Sequence, residues 1–155
     1  MTVTSIDVAG NRSSKTFTVT VSYTPGNKFW DSSAAPGLQG GGGTWDATGT
    51  ASWNSTADGS ASQIPFWNND TVFFQTATSN IVTVSGAITT GGMTQSVNGT
   101  ATTISGGALT LSGGISNGIG SGNGTLTINS AVVLGAANTT AVSYTHLTLP
   151  TKRIV

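Results

Sequence analysis

Hydrophobic and polar residues alternate along most of this chain, with the period of two that a β-strand requires. The pattern is clearest in the second half. Ile81-Val82-Thr83-Val84-Ser85-Gly86 is one such segment. Ala101-Thr102-Thr103-Ile104-Ser105-Gly106 and Ala108-Leu109-Thr110-Leu111-Ser112-Gly113 are near copies of each other, and Thr125-Leu126-Thr127-Ile128-Asn129-Ser130 is a fourth. Gly and Asn punctuate these runs, which have the length of ordinary strands. No segment carries helical spacing or a helix cap followed by an apolar run. The pattern therefore predicts an all-β protein.

The start of the chain has the same character. Val3 to Asp7 and Thr16 to Val21 predict two strands around a turn at Gly10-Asn11, residues that accept positive φ cheaply. Phe17, Val19 and Val21 alternate with Thr16, Thr18 and Thr20, so one face of this hairpin is expected to be covered. An isolated hairpin is marginal in water and needs a partner sheet. Pro25-Gly26 then breaks the pattern. A low-complexity stretch follows, with Trp30-Asp31 and Trp45-Asp46 on either side of Gly40 to Gly43, and with Trp53 and Trp67 beyond.

Short repeated strands with Gly and Asn corners and a weak internal period predict a single-stranded parallel β-helix, a solenoid, preceded by an N-terminal antiparallel hairpin. Inward side chains would stack in rows between coils ~4.8 Å apart. The predicted inward set is Val82, Val84, Ile88, Ile104, Leu109, Leu111, Leu126 and Ile128. A β-sandwich uses the same alternation and is the competing arrangement. The divisions expected are residues 1–22, a hairpin in need of a partner sheet, which by the resemblance below is the end of a truncated immunoglobulin-like domain; 23–79, a linker and Trp-rich cap; 80–140, solenoid coils; and 141–155, a tail that by its own resemblance is foreign to the protein.

Composition narrows the chemistry. Only 6% of the 155 residues are charged, and there is no Cys and no Glu. No apolar run approaches the ~20 residues of a membrane helix, so no membrane insertion by this segment is expected. Formal net charge is zero, which removes the electrostatic basis for a nucleic-acid partner. Without Cys there is neither a disulfide framework nor a thiolate metal site. The five Asp are Asp7, Asp31, Asp46, Asp58 and Asp70, and a glycosidase would need two of them across a cleft. Asp46 and Asp70 are the candidate pair, but corner positions explain all five, and no enzyme activity, metal or cofactor is expected. His146 is the sole histidine, and Gly40 to Gly43 lacks the Gly-Lys-Ser/Thr of a phosphate loop.

The four Trp admit two roles. Exposed, they would stack on sugar rings and form a glycan-binding face. Buried, Trp30, Trp45, Trp53 and Trp67, with Phe73, would cap an apolar end of the fold. Their place before the first regular strands favours capping.

From Phe29 to about Leu134 the chain resembles the autotransporter-associated β-strand repeat, also called the passenger-associated transport repeat. The matching pieces are Trp30-Asp31, Gly42-Gly43-Thr44-Trp45-Asp46, Ala51-Ser52-Trp53, and Trp67-Asn68-Asn69-Asp70-Thr71-Val72-Phe73. They continue with Val82 to Ile88, Gly91 to Thr94, and Ile104 to Gly114. Residues 2–21 resemble the last two strands of a bacterial immunoglobulin-like repeat. The resemblance implies parallel β-helix structure and a role in passenger export. It implies a secreted or cell-surface bacterial location, and as partners further coils of the same polypeptide and a membrane barrel. The function it implies is a structural display segment. The alternative is an adhesin, with surface glycans as partners of exposed Trp residues.

Val142 to Thr151 resembles the translation of a common transposase sequencing adapter, with Lys152-Arg153-Ile154 as index bases. Setting that tail aside leaves Arg12, Lys15 and Lys28 against five Asp, a net charge of −2.

Overall fold

The computed structural model describes residues 2–6, 8–16, 18, 20, 22–96, 100–117, 124–135 and 141–143. All regular elements among them are strands. They are β1 (Thr2–Ile6), β2 (Arg12–Thr16), β3 (Asn27–Trp30), β4 (Gly41–Trp45), β5 (Ala51–Asn54), β6 (Ile64–Pro65) and β7 (Thr71–Phe74). The order continues with β8 (Asn80–Thr90), β9 (Gly92–Gln95), β10 (Ala101–Leu111), β11 (Ile115–Asn117), β12 (Thr125–Ile128), β13 (Ala131–Leu134) and β14 (Ala141–Ser143).

The all-β expectation holds, but the single-stranded parallel β-helix does not. Two larger sheets of different character form instead. One has five strands, all parallel: β4, β8 and β10 in order, with β12 and β13 both pairing β10. The other has seven strands and is mixed. It runs β14-β11-β9-β7-β3 in parallel and then turns antiparallel through β5 and β6. The reversal lies in the Trp-bearing stretch. There Trp30 pairs across to Trp53, and Trp53 across to Ile64, so the chain doubles back rather than advancing by one coil. Alternation alone does not encode strand direction, which is why the sequence pattern missed this.

Both sheets contribute to one core. Val82, Val84, Ile88, Ile104, Leu109, Leu111 and Leu126 are buried as expected, and Ile128 packs partly buried against them. Register explains the rows: Val82 lies opposite Ile104, and Ile104 opposite Ile128, while Ile88 lies opposite Leu109. From the second sheet Val72, Met93 and Ile115 form a matching row. Gly106 (φ 90°) marks an irregularity where the β8–β10 register shifts. A Cβ there would stand 2.5 Å from the Val84 carbonyl oxygen, so both the backbone angle and the contact demand glycine.

Polar side chains also occupy inward positions. Thr76 Oγ1 donates to Asn80 Oδ1 (2.8 Å), and Asn80 Nδ2 donates to Thr102 Oγ1 (2.9 Å). Thr102 in turn donates to Gln95 Oε1, whose amide donates to Thr100 (3.1 Å). All five residues are buried, and the chain of bonds satisfies groups that would otherwise be costly in the interior.

The N-terminal hairpin is antiparallel, Thr2 opposite Thr16 and Ile6 opposite Arg12, and among the described residues its strands pair with no strand of the two larger sheets. Its second strand is the polar Arg12–Thr16, which begins ahead of the expected Thr16 to Val21. A short turn at Val8 to Asn11 sets the register, and that choice outranks the hydrophobic alternation further on. Phe17, Val19 and Val21, expected to form its covered face, lie outside the described residues. So do residues 144–155 of the tail, whereas Ala141–Ser143 pairs with Ile115–Asn117.

Candidate functional site

The four Trp separate into two groups. Trp30, Trp45 and Trp53 are completely buried, whereas Trp67 is 48% exposed. The buried three interlock edge to face. Trp30 meets Trp53 with ring centroids 5.1 Å apart at 82°, and Trp45 meets Trp53 at 5.2 Å and 67°. Phe66 and Phe74 complete the cluster, 5.2 Å from Trp45 and 5.8 Å from Trp53 respectively. Such geometry places the positive ring edge on the negative face. The Gly43 position leaves room for it, since a Cβ there would stand 2.8 Å from Trp30 Cζ2. These three indoles therefore present no face to a ligand. Phe73 lies on the outer side of its strand, stacked on Phe29 at 5.1 Å.

The repeated Trp-Asp pair has a simple physical meaning here. Each Trp turns inward and the Asp that follows ties down the turn. Asp46 accepts from the backbone amides of Thr48 (2.8 Å), Gly49 (3.1 Å) and Thr50 (3.2 Å), and from the Thr50 hydroxyl. Burial raises the pKa of this carboxyl, but the hydroxyl and amide donors outweigh burial and bring it down to about 2. Asp31 accepts from the Gln39 amide (3.1 Å) and from Asn54 Nδ2 (3.1 Å). Asp58 accepts from the Ser60 amide (3.0 Å), and the Ser60 bonds lower its pKa. Asp31 and Asp58 both border an open cleft of about 530 Å³ with Ala34 to Gly37, each already engaged in hydrogen bonds of its own.

Asp70 is different, because its partners lie up to 47 residues away and include a buried cation. It is fully buried. One carboxylate oxygen accepts from the Tyr23 hydroxyl and from the Gly26 amide (2.8 Å). The other accepts from the Trp67 amide (3.1 Å) and stands 3.4 Å from Lys28 Nζ. Lys28 is itself buried, on an inward position opposite Val72, so the ion pair neutralises a charge that the interior could not otherwise hold. The Asp70 backbone carbonyl accepts from Thr90 Oγ1 (2.7 Å) and the Gly91 amide (2.8 Å), which fastens the turn to the next strand. The expected meeting of Asp46 and Asp70 across a cleft does not occur: each is bound to a separate set of partners.

Above this buried anchor lies an exposed aromatic pair. Tyr23 is 46% exposed, and its ring sits 6.1 Å from Trp67 at 51°. Partial burial, the hydrogen bond to Asp70 and the charge of Asp70 together push the Tyr23 phenol above its ordinary range. The turn that carries Trp67 continues through Asn68 and Asn69, both exposed. Asn69 adopts φ 76°, a left-handed conformation that asparagine tolerates better than most residues.

Sequence reasoning grouped Trp67 with the three buried indoles and missed Tyr23 and Lys28. Nothing in the local pattern marks Lys28 as buried, because its partner is remote in sequence. Among the described residues no group of three or more His, Cys, Asp or Glu gathers as a metal site would. No family model, curated protein or solved structure matches this chain.

Proposed function

We propose that this chain is a structural display segment of a bacterial secreted or cell-surface protein, a part of an exported passenger. The observation that carries this reading is the order of strand pairing. From Thr71 onward each parallel strand joins one that precedes it in the chain: β9 joins β7, β10 joins β8, β11 joins β9, and β12 and β13 join β10. A chain emerging unfolded through a membrane could then extend an edge already formed, and the additions up to β12 would bury new apolar rows without waiting for distant segments, while Val132, Val133 and Leu134 of β13 stay exposed at the edge. The aromatic cluster supplies a firm first layer for that growth. Polar groups serve the fold itself: Asp31, Asp46, Asp58 and Asp70 all hold turns, and the Asn80–Thr102–Gln95 chain lies inside. The sequence resemblance to passenger-associated repeats points the same way. In the complete protein the partners would be the rest of the polypeptide and a membrane barrel.

The test is an export fusion. The chain is placed between a secretion signal and a membrane barrel in a Gram-negative host, and surface exposure is read by protease accessibility in intact cells. The native sequence should raise the displayed fraction above that of an unstructured linker of equal length. Leu109→Asp, which places a charge in the aliphatic row, should remove the gain. Equal display by native, variant and linker would refute the proposal.

A further inference from the structure

We propose that the Tyr23–Trp67 pair is a stacking subsite for a neutral pyranose ring of a polysaccharide. The inference stands apart from the display reading, since it rests on one local site.

Three observations carry it. First, both aromatic rings are about half exposed and meet at 51°, so they form a corner with an apolar floor and wall. Second, the corner is held in place from below. Asp70 binds the Tyr23 hydroxyl and the Trp67 backbone amide, and Asp70 is fixed by Lys28 and Gly26. A platform held by a buried ion pair loses little side-chain entropy when a ligand arrives. Third, the site shows no charge to solvent, because Lys28 and Asp70 are both buried and paired.

These features select the ligand class. A pyranose offers C–H faces to an aromatic ring and hydroxyls around its rim. Asn68 and Asn69 flank the indole and supply amide donors and acceptors. Asn68 Oδ1 already accepts from the Thr89 amide (3.0 Å), which steadies that side chain, and its amide nitrogen has no partner among the described residues. A charged sugar would meet no counter-ion here. A proline-rich peptide docks in a groove lined by several aromatic residues, whereas this site is a single corner of two rings.

The experiment uses the intact chain, titrated with cellohexaose, xylohexaose, mannohexaose and chitohexaose, with decaproline as the peptide probe. Heat and Trp emission are both recorded. Trp67 is the exposed indole, so the emission change should come from it. At least one hexasaccharide should saturate with a Kd below about 10 mM, a weak affinity suited to one subsite. Trp67→Ala should weaken it at least ~10-fold, equivalent to about 1.4 kcal/mol. Trp67→Phe, which keeps a stacking ring, should recover most of the loss. The buried indoles report that each variant is folded. Absence of saturation by every sugar, unchanged affinity in Trp67→Ala, or binding of decaproline alone would each overturn the proposal.

Discussion

The Trp-bearing end of this molecule and the strands from Asn80 onward share one core but solve the packing problem differently. At the Trp end, large rings interlock edge to face around Trp53 and the strands double back antiparallel. Beyond Asn80, aliphatic side chains of similar size repeat in register, Val82 with Ile104 and Ile88 with Leu109, and the strands run parallel. The difference shows that one alternating pattern serves two architectures. Repetition of similar side chains favours parallel addition, since each residue then meets its like. Unlike, bulky rings favour whichever pairing lets their edges and faces meet.

The comparison predicts unequal costs of truncation. Trp53→Ala should remove about 4–5 kcal/mol of stability and Leu109→Ala about 2–3 kcal/mol, because the larger ring leaves the larger cavity. Urea denaturation of both variants measures this directly. Trp53→Phe sharpens the point. The Trp53 Nε1 is buried without a hydrogen-bond partner among the described residues, so losing it should offset part of the lost packing. Equal costs for Trp53→Ala and Leu109→Ala would mean that the aromatic end is no more than another layer.

Next in size is the charge at the aromatic end. Lys28 takes an inward position in the row that Val72, Met93 and Ile115 continue. Lys28→Met keeps the volume but leaves Asp70 buried without its cation. It should cost about 3 kcal/mol, since breaking a buried pair exposes the fold to an uncompensated charge. Lys28→Met combined with Asp70→Asn should recover part of that loss. If the single variant is as stable as the native chain, the Tyr23, Gly26 and Trp67 donors are enough to hold Asp70 alone.

A smaller effect is expected in acid, again from the Trp end. Asp46 has its folded pKa depressed to about 2, against ~3.9 in an unfolded chain. A depressed carboxyl contributes stability that is fully present above the unfolded value and is lost as pH falls through the folded one. Stability should therefore decline between about pH 4 and pH 2. Asp46→Asn should lower stability at pH 7, on the order of 1 kcal/mol, and flatten that part of the acid decline. Denaturant midpoints measured across the range would show it. An unchanged acid slope in the variant would move the cause to another carboxylate.

How legible each region was follows the same division. The inward rows from Val82 to Leu126 could be read directly, because β-strand period and apolar identity coincide there. Asn80, Thr102 and Gln95 also point inward, but polar residues on the apolar phase look like turn or surface positions until their partners are known. Strand direction was hidden altogether: Trp30 opposite Trp53 is a contact between distant segments, and no local pattern distinguishes it from advance to a next coil. The candidate subsite was half visible. Trp67 stood out as a ligand-stacking or capping residue, while Tyr23 looked like linker. Asp70, which joins them, looked like one corner among five.

The smallest effect concerns the N-terminal hairpin. Thr2–Ile6 and Arg12–Thr16 pair with each other, and among the described residues with no strand of either larger sheet. The strand residues on the Arg12 side are Arg, Ser, Ser, Lys and Thr, which offer almost no apolar area to a neighbour. The Tyr23 hydroxyl, beyond the hairpin in sequence, is fastened to the core by Asp70. Deleting residues 1–16 should therefore leave the unfolding midpoint of the two-sheet core unchanged within about 0.5 kcal/mol, the range of changes away from packed features. The deletion should also leave unchanged the emission of the buried indoles. A larger loss would show that the hairpin covers part of the core, and would extend the aromatic end of the comparison to the start of the chain.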